Sequence, residues 1–354
     1  MKVLFRADAS VDIGSGHLMR CLTLADQLRG EGAEVAFVCR DLPGGMFDLL
    51  HARGYRFARL PMAAAGKALQ QADAEETIKA AAQLFPDGVD WLVVDHYRLD
   101  AEWERMLRAH TNRLMVIDDL ANRPHDCDLL LDQNYYRDMG RRYQGLIPEQ
   151  CVALLGPKFV LLRPEFAAAR RNLKERDGVV RHILIFFGGS DATNQTCKAL
   201  DAIKLMDNHD ISVDVVVGAA NPHRNQIESL CHAMPSAQYH CQVTNMAELI
   251  AAADIGIGAG GATTWERCAL GLPSITVVFA DNQLQTTLDL EQIGATEFLG
   301  WADKITAADI SEAIKRLIND QARLKSLSMH ASEIMREWQG AVTITSTMKN
   351  ISIN

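Results

Sequence analysis

The sequence predicts an α/β protein of two Rossmann-like, doubly wound domains that face each other across a cleft. Three observations lead there. The chain has 354 residues, roughly twice the ~150 that one core usually serves. Short apolar runs alternate with helix-spaced patterns in the first half, and the same alternation restarts in the second. Several of these runs are continuously apolar, which suits parallel strands buried on both faces.

Residues 3–5 read as the first strand, followed by Leu18, Cys21, Leu22, Ala25 and Leu28 at helical spacing. Residues 35–38 are the next strand and 47–53 the next short helix. Trp91-Leu92-Val93-Val94-Asp95 and Leu114-Met115-Val116-Ile117-Asp118 are buried-strand patterns that each end in an acidic residue. Residues 129–131 and 152–155 follow, with less helix between them. Around residues 167–179 the composition turns to AAARRNLKERDGV, charged and without strand character, which reads as the linker. Arg170, Arg171, Lys174 and Arg176 then form a solvated face. Beyond it, 183–187, 213–217, 253–257 and 274–279 are strands, with helical patterns near 194–206, 223–234, 245–252, 262–270 and 282–292. The C-terminal stretch reads as two helices. The expected boundaries are 1–168 for the first domain and 180–335 for the second. Residues 336–354 are expected to be a helix returning to the first domain.

Composition narrows the partners. With 48% hydrophobic and 23% charged residues the chain is neither disordered nor fibrous. Lys plus Arg is 36 against 45 for Asp plus Glu, a formal charge of −9, so no overall attraction to nucleic acid or anionic lipid follows. The eight cysteines form no CxxC pair, and most lie in apolar strand-like or helix-like runs, which reads as buried thiols in a reducing compartment. MKVLFRADAS has no apolar signal core, and no run approaches the roughly 20 residues of a membrane span. A cytoplasmic protein with neither nucleic-acid nor membrane partners is expected; nothing in the sequence fixes an oligomeric state.

Three Gly-rich turns carry the chemistry. Asp12-Ile13-Gly14-Ser15-Gly16-His17-Leu18-Met19-Arg20 follows the first strand and opens the first helix. Gly14 and Gly16 let backbone amides approach a ligand there. His17 lies on the first helical turn, where the positive end of the dipole disfavours imidazolium and suits the ring to take a proton from water. A capping or packing histidine in a plain turn is the competing reading. Phe187-Gly188-Gly189-Ser190-Asp191-Ala192-Thr193-Asn194 repeats the strand–turn–helix pattern, with Gly188, Ser190 and Asp191 as ligand contacts; helix capping alone accounts for one of the polar side chains. Gly258-Ala259-Gly260-Gly261-Ala262-Thr263-Thr264-Trp265-Glu266 is the most specific. Unshielded amides at Gly260 and Gly261 and the hydroxyls of Thr263 and Thr264 suit a diphosphate, and Glu266 suits ribose hydroxyls. Asn282 and Gln283, after a later strand, are sugar contacts or an ordinary helix start. Arg163 is either a cleft-facing cation for phosphate or a surface charge.

Asp95-His96, Asp118-Asp119 and His125-Asp126-Cys127-Asp128 offer metal-ligand types but match no metal spacing, so no metal site and no cofactor are expected. A Ser/His/Asp triad lacks its Gly-x-Ser-x-Gly elbow.

Taken together, Phe5-Arg6-Ala7-Asp8, the Gly14-to-Leu22 segment, Asp95-His96-Tyr97-Arg98-Leu99-Asp100 and Ile117-Asp118-Asp119-Leu120-Ala121-Asn122-Arg123 resemble one family. Asp132-Gln133-Asn134-Tyr135, Gly188-Gly189-Ser190-Asp191 and the Gly260-to-Glu266 run extend the match, in order, over nearly the whole chain. The family is UDP-2,4-diacetamido-2,4,6-trideoxy-β-L-altropyranose hydrolase, of pseudaminic acid biosynthesis and, through it, flagellin or surface-polysaccharide glycosylation. The resemblance implies a GT-B fold, with the nucleotide on the C-terminal domain and the sugar toward the N-terminal Gly loop. It implies metal-independent, inverting cleavage of the anomeric C1–O bond by water, with His17 as base. It places Tyr97 and Asn282 among the sugar-side contacts, and Asp95 is expected among the substrate-binding residues. No appended acetyltransferase-like domain is read in the chain, so one activity is expected. Two rivals stay open: a GT-B glycosyltransferase with a non-water acceptor, and a non-catalytic UDP-sugar-binding protein.

Overall fold

The computed structural model describes residues 1–10, 13–62, 69–206 and 210–353. The chain forms two compact units, Met1–Leu161 with Trp338–Asn354, and Leu162–Glu337.

The first unit runs β1 (Lys2–Ala7), α1 (Gly16–Gly30), β2 (Glu34–Arg40), α2 (Phe47–Ala52), β3 (Arg56–Leu60), α3 (Leu69–Leu84), β4 (Val89–Asp95), α4 (Ala101–Leu107), β5 (Thr111–Ile117), β6 (Leu129–Asp132) and β7 (Val152–Leu155). These strands make one sheet in the order β3-β2-β1-β4-β5-β6-β7, and every neighbouring pair is parallel. Alternation along a continuous apolar strand feeds two cores. Val3 and Phe5 pack with Leu18, Leu22 and Leu28 of α1, while Leu4 packs on the opposite face with Ala74 of α3 and Trp103 and Leu107 of α4.

The second unit runs α5 (Pro164–Arg171), β8 (His182–Phe186), α6 (Gln195–Lys204), β9 (Ser212–Val217), α7 (Arg224–His232), β10 (Ala237–Cys241), α8 (Met246–Ala252), β11 (Ile255–Ala259), α9 (Thr263–Ala269), β12 (Ser274–Val278), α10 (Asp281–Gln292), β13 (Glu297–Trp301), α11 (Ala307–Ile318) and α12 (Gln321–Ile334). Its six strands order as β10-β9-β8-β11-β12-β13, again all parallel. The last helix, α13 (Ala341–Ile353), belongs to the first unit. There Ile344 and Met348 are fully buried in the α1-side core.

In both sheets the chain reverses direction of growth beside the first strand. β1 lies between β2 and β4, and β8 between β9 and β11. Such switch points leave a crevice at the carboxyl ends of the strands, where open α/β sheets bind ligands.

Three expectations need correction. The C-terminal stretch holds three helices rather than two; a Thr306–Asp309 capping box starts the first of them. The charged stretch from 167 begins as helix, because Pro164 occupies the first turn of α5 and Phe166 is fully buried. Its arginines are not all solvated. Arg170 donates to the Met335 carbonyl at 2.7 Å. Arg176 donates to the carbonyls of Ile250, Ala253, Leu270 and Gly271, satisfying the open ends of α8 and α9.

Candidate functional site

In the first unit α1 starts directly after the turn that leaves β1. Gly14 has φ +79°, a conformation costly for any side chain, and its N–H donates to the Ser10 carbonyl at 2.8 Å. Asp12, which opens the motif, lies outside the described residues. Gly16 begins α1 with open space around it.

His17 is buried to 7% exposure. Its Nδ1 lies 2.5 Å from Asp95 Oδ1. Asp95 is the last residue of β4, and Ala7, the last of β1, pairs with it in register. Arg20, one turn further along α1, grips the same carboxylate through Nε to Oδ2 at 2.6 Å and Nη2 to Oδ1 at 2.7 Å. Burial by itself would push the Asp95 carboxyl up; Arg20 and His17 together outweigh it and hold it well below the usual carboxylate range. An ionised Asp95 accepts the Nδ1 proton and so leaves Nε2 as the lone-pair nitrogen. No described residue bonds Nε2. The Tyr97 ring meets the imidazole edge-on at 4.4 Å, and its hydroxyl donates to Asp119 Oδ2 at 3.4 Å. Burial, with Asp119 beside it, pushes the Tyr97 phenol up, so it stays a donor. Arg20 Nη1 reaches the same Asp119 oxygen at 3.1 Å.

The Asp95-His96 pair splits. His96 accepts from the Arg98 N–H at Nδ1 and directs Nε2 to Asp8, 3.3 Å away, on the opposite face of the strand end. Asp118 is held by Arg123 at 2.8 Å and by the Tyr143 hydroxyl at 2.9 Å. Burial pushes the Asp132 carboxyl, at the end of β6, up to about 7. Among the described residues no group of three His, Cys, Asp or Glu side chains is placed to hold a metal ion.

In the second unit the turn after β8 has Gly188 at φ +93° and Asp191 at φ +38°. Ser190 is half-buried in this turn. The Asp191 carboxylate accepts from the Gln195 and Thr196 N–H groups at 2.9 and 2.8 Å and from the Thr196 hydroxyl at 2.6 Å. Both its oxygens therefore hold the start of α6.

The turn after β11 is crowded. A Cβ on Gly258, at the end of β11 itself, would stand 2.4 Å from the Phe186 carbonyl, and one on Gly260, in the turn, 2.6 Å from Thr287 Oγ1. Gln283 lies over this turn, with Nε2 3.6 Å from a Cβ position on Gly261 and Oε1 accepting from the Phe279 N–H at 3.1 Å. Asn282 is half-buried in the first turn of α10. Thr264 donates to the Ala259 carbonyl at 3.3 Å. Thr263 accepts from Arg267 Nη1 at 3.2 Å. Glu266 lies 3.5 Å from Arg163 Nη2, which also lies 3.2 Å from Glu165. Arg163 is thus paired rather than a lone surface charge. Burial pushes the Glu266 carboxyl up against the pull of Arg163. The turn brings Gly260, Gly261, Thr263 and Gln283 to the end of one strand.

Residues 182–341 match the glycosyltransferase family 28 C-terminal domain. The chain is similar to the UDP-2,4-diacetamido-2,4,6-trideoxy-β-L-altropyranose hydrolase of Campylobacter jejuni, at 24% identity over 83% of this chain and 97% of that one. An uncharacterized protein of Methanocaldococcus jannaschii is also 24% identical over 80% of this chain, which spans 57% of that protein's length. The crystal structure of Acinetobacter baumannii MurG superposes with a TM-score of 0.67 at 16% identity, covering 99% of both chains. The fold is therefore of the GT-B type. No described helix is long and apolar enough to cross a membrane.

The sequence pointed to none of Arg20, Thr287 and Arg267 as site residues, and to Asp119 only as an acidic ligand type. Arg20 did leave a signal, since it stands three residues after His17 on one helix face. Asp119 sits at a strand end already flagged as acidic. Arg267 left the same kind of signal, four residues after Thr263 on α9, whereas Thr287 left none, because only folding brings it against the turn after β11.

Proposed function

We propose that the protein is a nucleotide-sugar hydrolase that cleaves UDP-2,4-diacetamido-2,4,6-trideoxy-β-L-altropyranose at the anomeric C1–O bond, giving UDP and the free sugar. The observation that carries this reading is the His17–Asp95 pair at the first switch point. In its geometry no described residue bonds Nε2, which is the nitrogen left to act as base. In this reading Nε2 removes a proton from water as the water oxygen bonds to C1. The C1–O bond breaks with inversion, and its electron pair departs on the β-phosphate of UDP. Tyr97 and Gly14–Gly16 lie on the sugar side. The second unit holds the nucleotide, its diphosphate at the amides of Gly260 and Gly261 and its ribose at Glu266 once Arg163 is displaced or shared. Gly188, Ser190, Asn282 and Gln283 complete the contacts; Asp191 acts by fixing its turn. Similarity to the Campylobacter hydrolase over most of both chains supports the substrate assignment.

A GT-B glycosyltransferase is the second reading, favoured by the family 28 domain match. Incubation of the purified protein with the UDP-sugar alone, followed by NMR, separates them. Free UDP with free reducing sugar, persisting in EDTA, supports the metal-independent hydrolase. UDP release that requires an added acceptor supports the transferase. Tight UDP binding without turnover rejects both in favour of a binding protein.

A further inference from the structure

Arg267 is 4% exposed, yet among the described residues no carboxylate forms an ion pair with it. Its partners are all neutral oxygens: Thr263 Oγ1 at 3.2 Å from Nη1, and the Ala259 carbonyl at 3.0 Å, Thr264 Oγ1 at 3.3 Å and Thr276 Oγ1 at 3.3 Å from Nη2. Its Nε is buried without an acceptor. Buried guanidinium groups ordinarily sit against a carboxylate or an anionic ligand. The neighbouring Glu266 supports the charge only through space, since its carboxylate pairs directly with Arg163. Burial lowers Arg267 only to about 10, so the cation persists at neutral pH.

Its position gives that charge a use. A Cβ on Gly258 would stand 2.8 Å from Nη1, so the guanidinium lies directly against the last two residues of β11, where the turn begins. We infer that Arg267 is a positioning residue for the diphosphate, a cation under the turn that lends it positive charge and orients the Thr263 hydroxyl. The two threonines differ here. Thr264 gives its proton to the Ala259 carbonyl. Thr263 accepts from Arg267 through Oγ1, which leaves its own proton for an anionic oxygen. The charge is needed because α9 has only 7 residues, a short source of helix dipole.

The inference rests on the nucleotide reading above, and binding separates the two. UDP and uridine are titrated into wild type, Arg267→Met, Arg267→Lys and Thr263→Val, with thermal melting of each protein. Arg267→Met is expected to weaken UDP on the order of tenfold or more while uridine affinity is unchanged. Arg267→Lys recovers part of the loss, and Thr263→Val, which keeps the buried charge but removes its Nη1 acceptor and the hydroxyl proton, loses UDP affinity selectively. Equal weakening of UDP and uridine, or wild-type UDP affinity in Arg267→Met, overturns the inference. If Arg267→Met does not fold, wild-type UDP affinity in Thr263→Val overturns it. A wild type that binds no UDP overturns the nucleotide reading and this inference together.

Discussion

His17 and Arg20 stand three residues apart on α1 and converge on one carboxylate, Asp95. Loss of a positioned base costs about 10²–10⁴ in rate, so His17→Ala should lower kcat by that range in an NMR turnover assay while UDP titration shows unchanged binding. Asp95→Asn should lower kcat by about 10² or more, since an amide no longer dictates which imidazole nitrogen carries the proton. It also leaves the Arg20 guanidinium short of a buried partner, at a cost of about 3–5 kcal/mol in denaturant unfolding. The folded Asp95 carboxyl titrates below its unfolded value of about 3.9. Its contribution is present above about pH 4 and is lost as pH falls further. The acid limb of a stability profile should therefore be shallower in Asp95→Asn. Asp132 has the opposite sign. With a folded value of about 7 and an unfolded one of about 3.9, the native state binds the extra proton, so stability falls as pH rises between them. Asp132→Asn should shrink the difference between urea melts at pH 5 and pH 8; an unchanged difference would reject the raised value. His17 was legible because a histidine is unusual in a Gly-turn helix start. Asp95 was legible as an acidic strand end, but its partners on α1 come from 78 and 75 residues away, beyond any local pattern.

At the scale of elements, the central strands announced themselves, whereas of the four sheet edges only β7 did. β1, β4 and β5 are buried on both faces, so their sequences are continuously apolar. β3 (RFARL), β10 (AQYHC) and β13 (EFLGW) are sheet edges with mixed, partly exposed residues, a composition that protects an edge from pairing and erases its pattern. The Gly-rich turn after β11 was legible for the same reason that it is crowded: only glycine clears the Phe186 carbonyl. Gly258→Ala should therefore cost about 1–3 kcal/mol in thermal or chemical unfolding. It should also weaken UDP, because relief of the clash moves the turn. Full stability with full affinity would show that the contact relaxes freely.

For the whole molecule, the doubling of a β/α pattern was legible from length and periodicity, whereas the division of the chain was not. The boundary lies at Leu161/Leu162, before α5, because Phe166 packs fully buried and Arg170 ties α5 to the Met335 carbonyl. No composition shift marks that point. The tail helix α13 supplies Ile344 and Met348 to the α1-side core, and Ser352 accepts from the Trp91 indole at 2.7 Å. Ile344→Ala should cost about 2–5 kcal/mol, and hydrogen exchange should show the loss of protection in α1 and the central strands of the first sheet while the second sheet keeps its own. Equal loss in both would mean that the two units unfold as one. The α13 contacts also set an order on synthesis. The ribosome delivers the first sheet early, yet the helix that covers its α1-side core follows the entire second unit. Until α13 emerges, the nascent first unit holds an unsealed oily flank, so the His17–Asp95 pair gains its finished surroundings only after the second unit has been made.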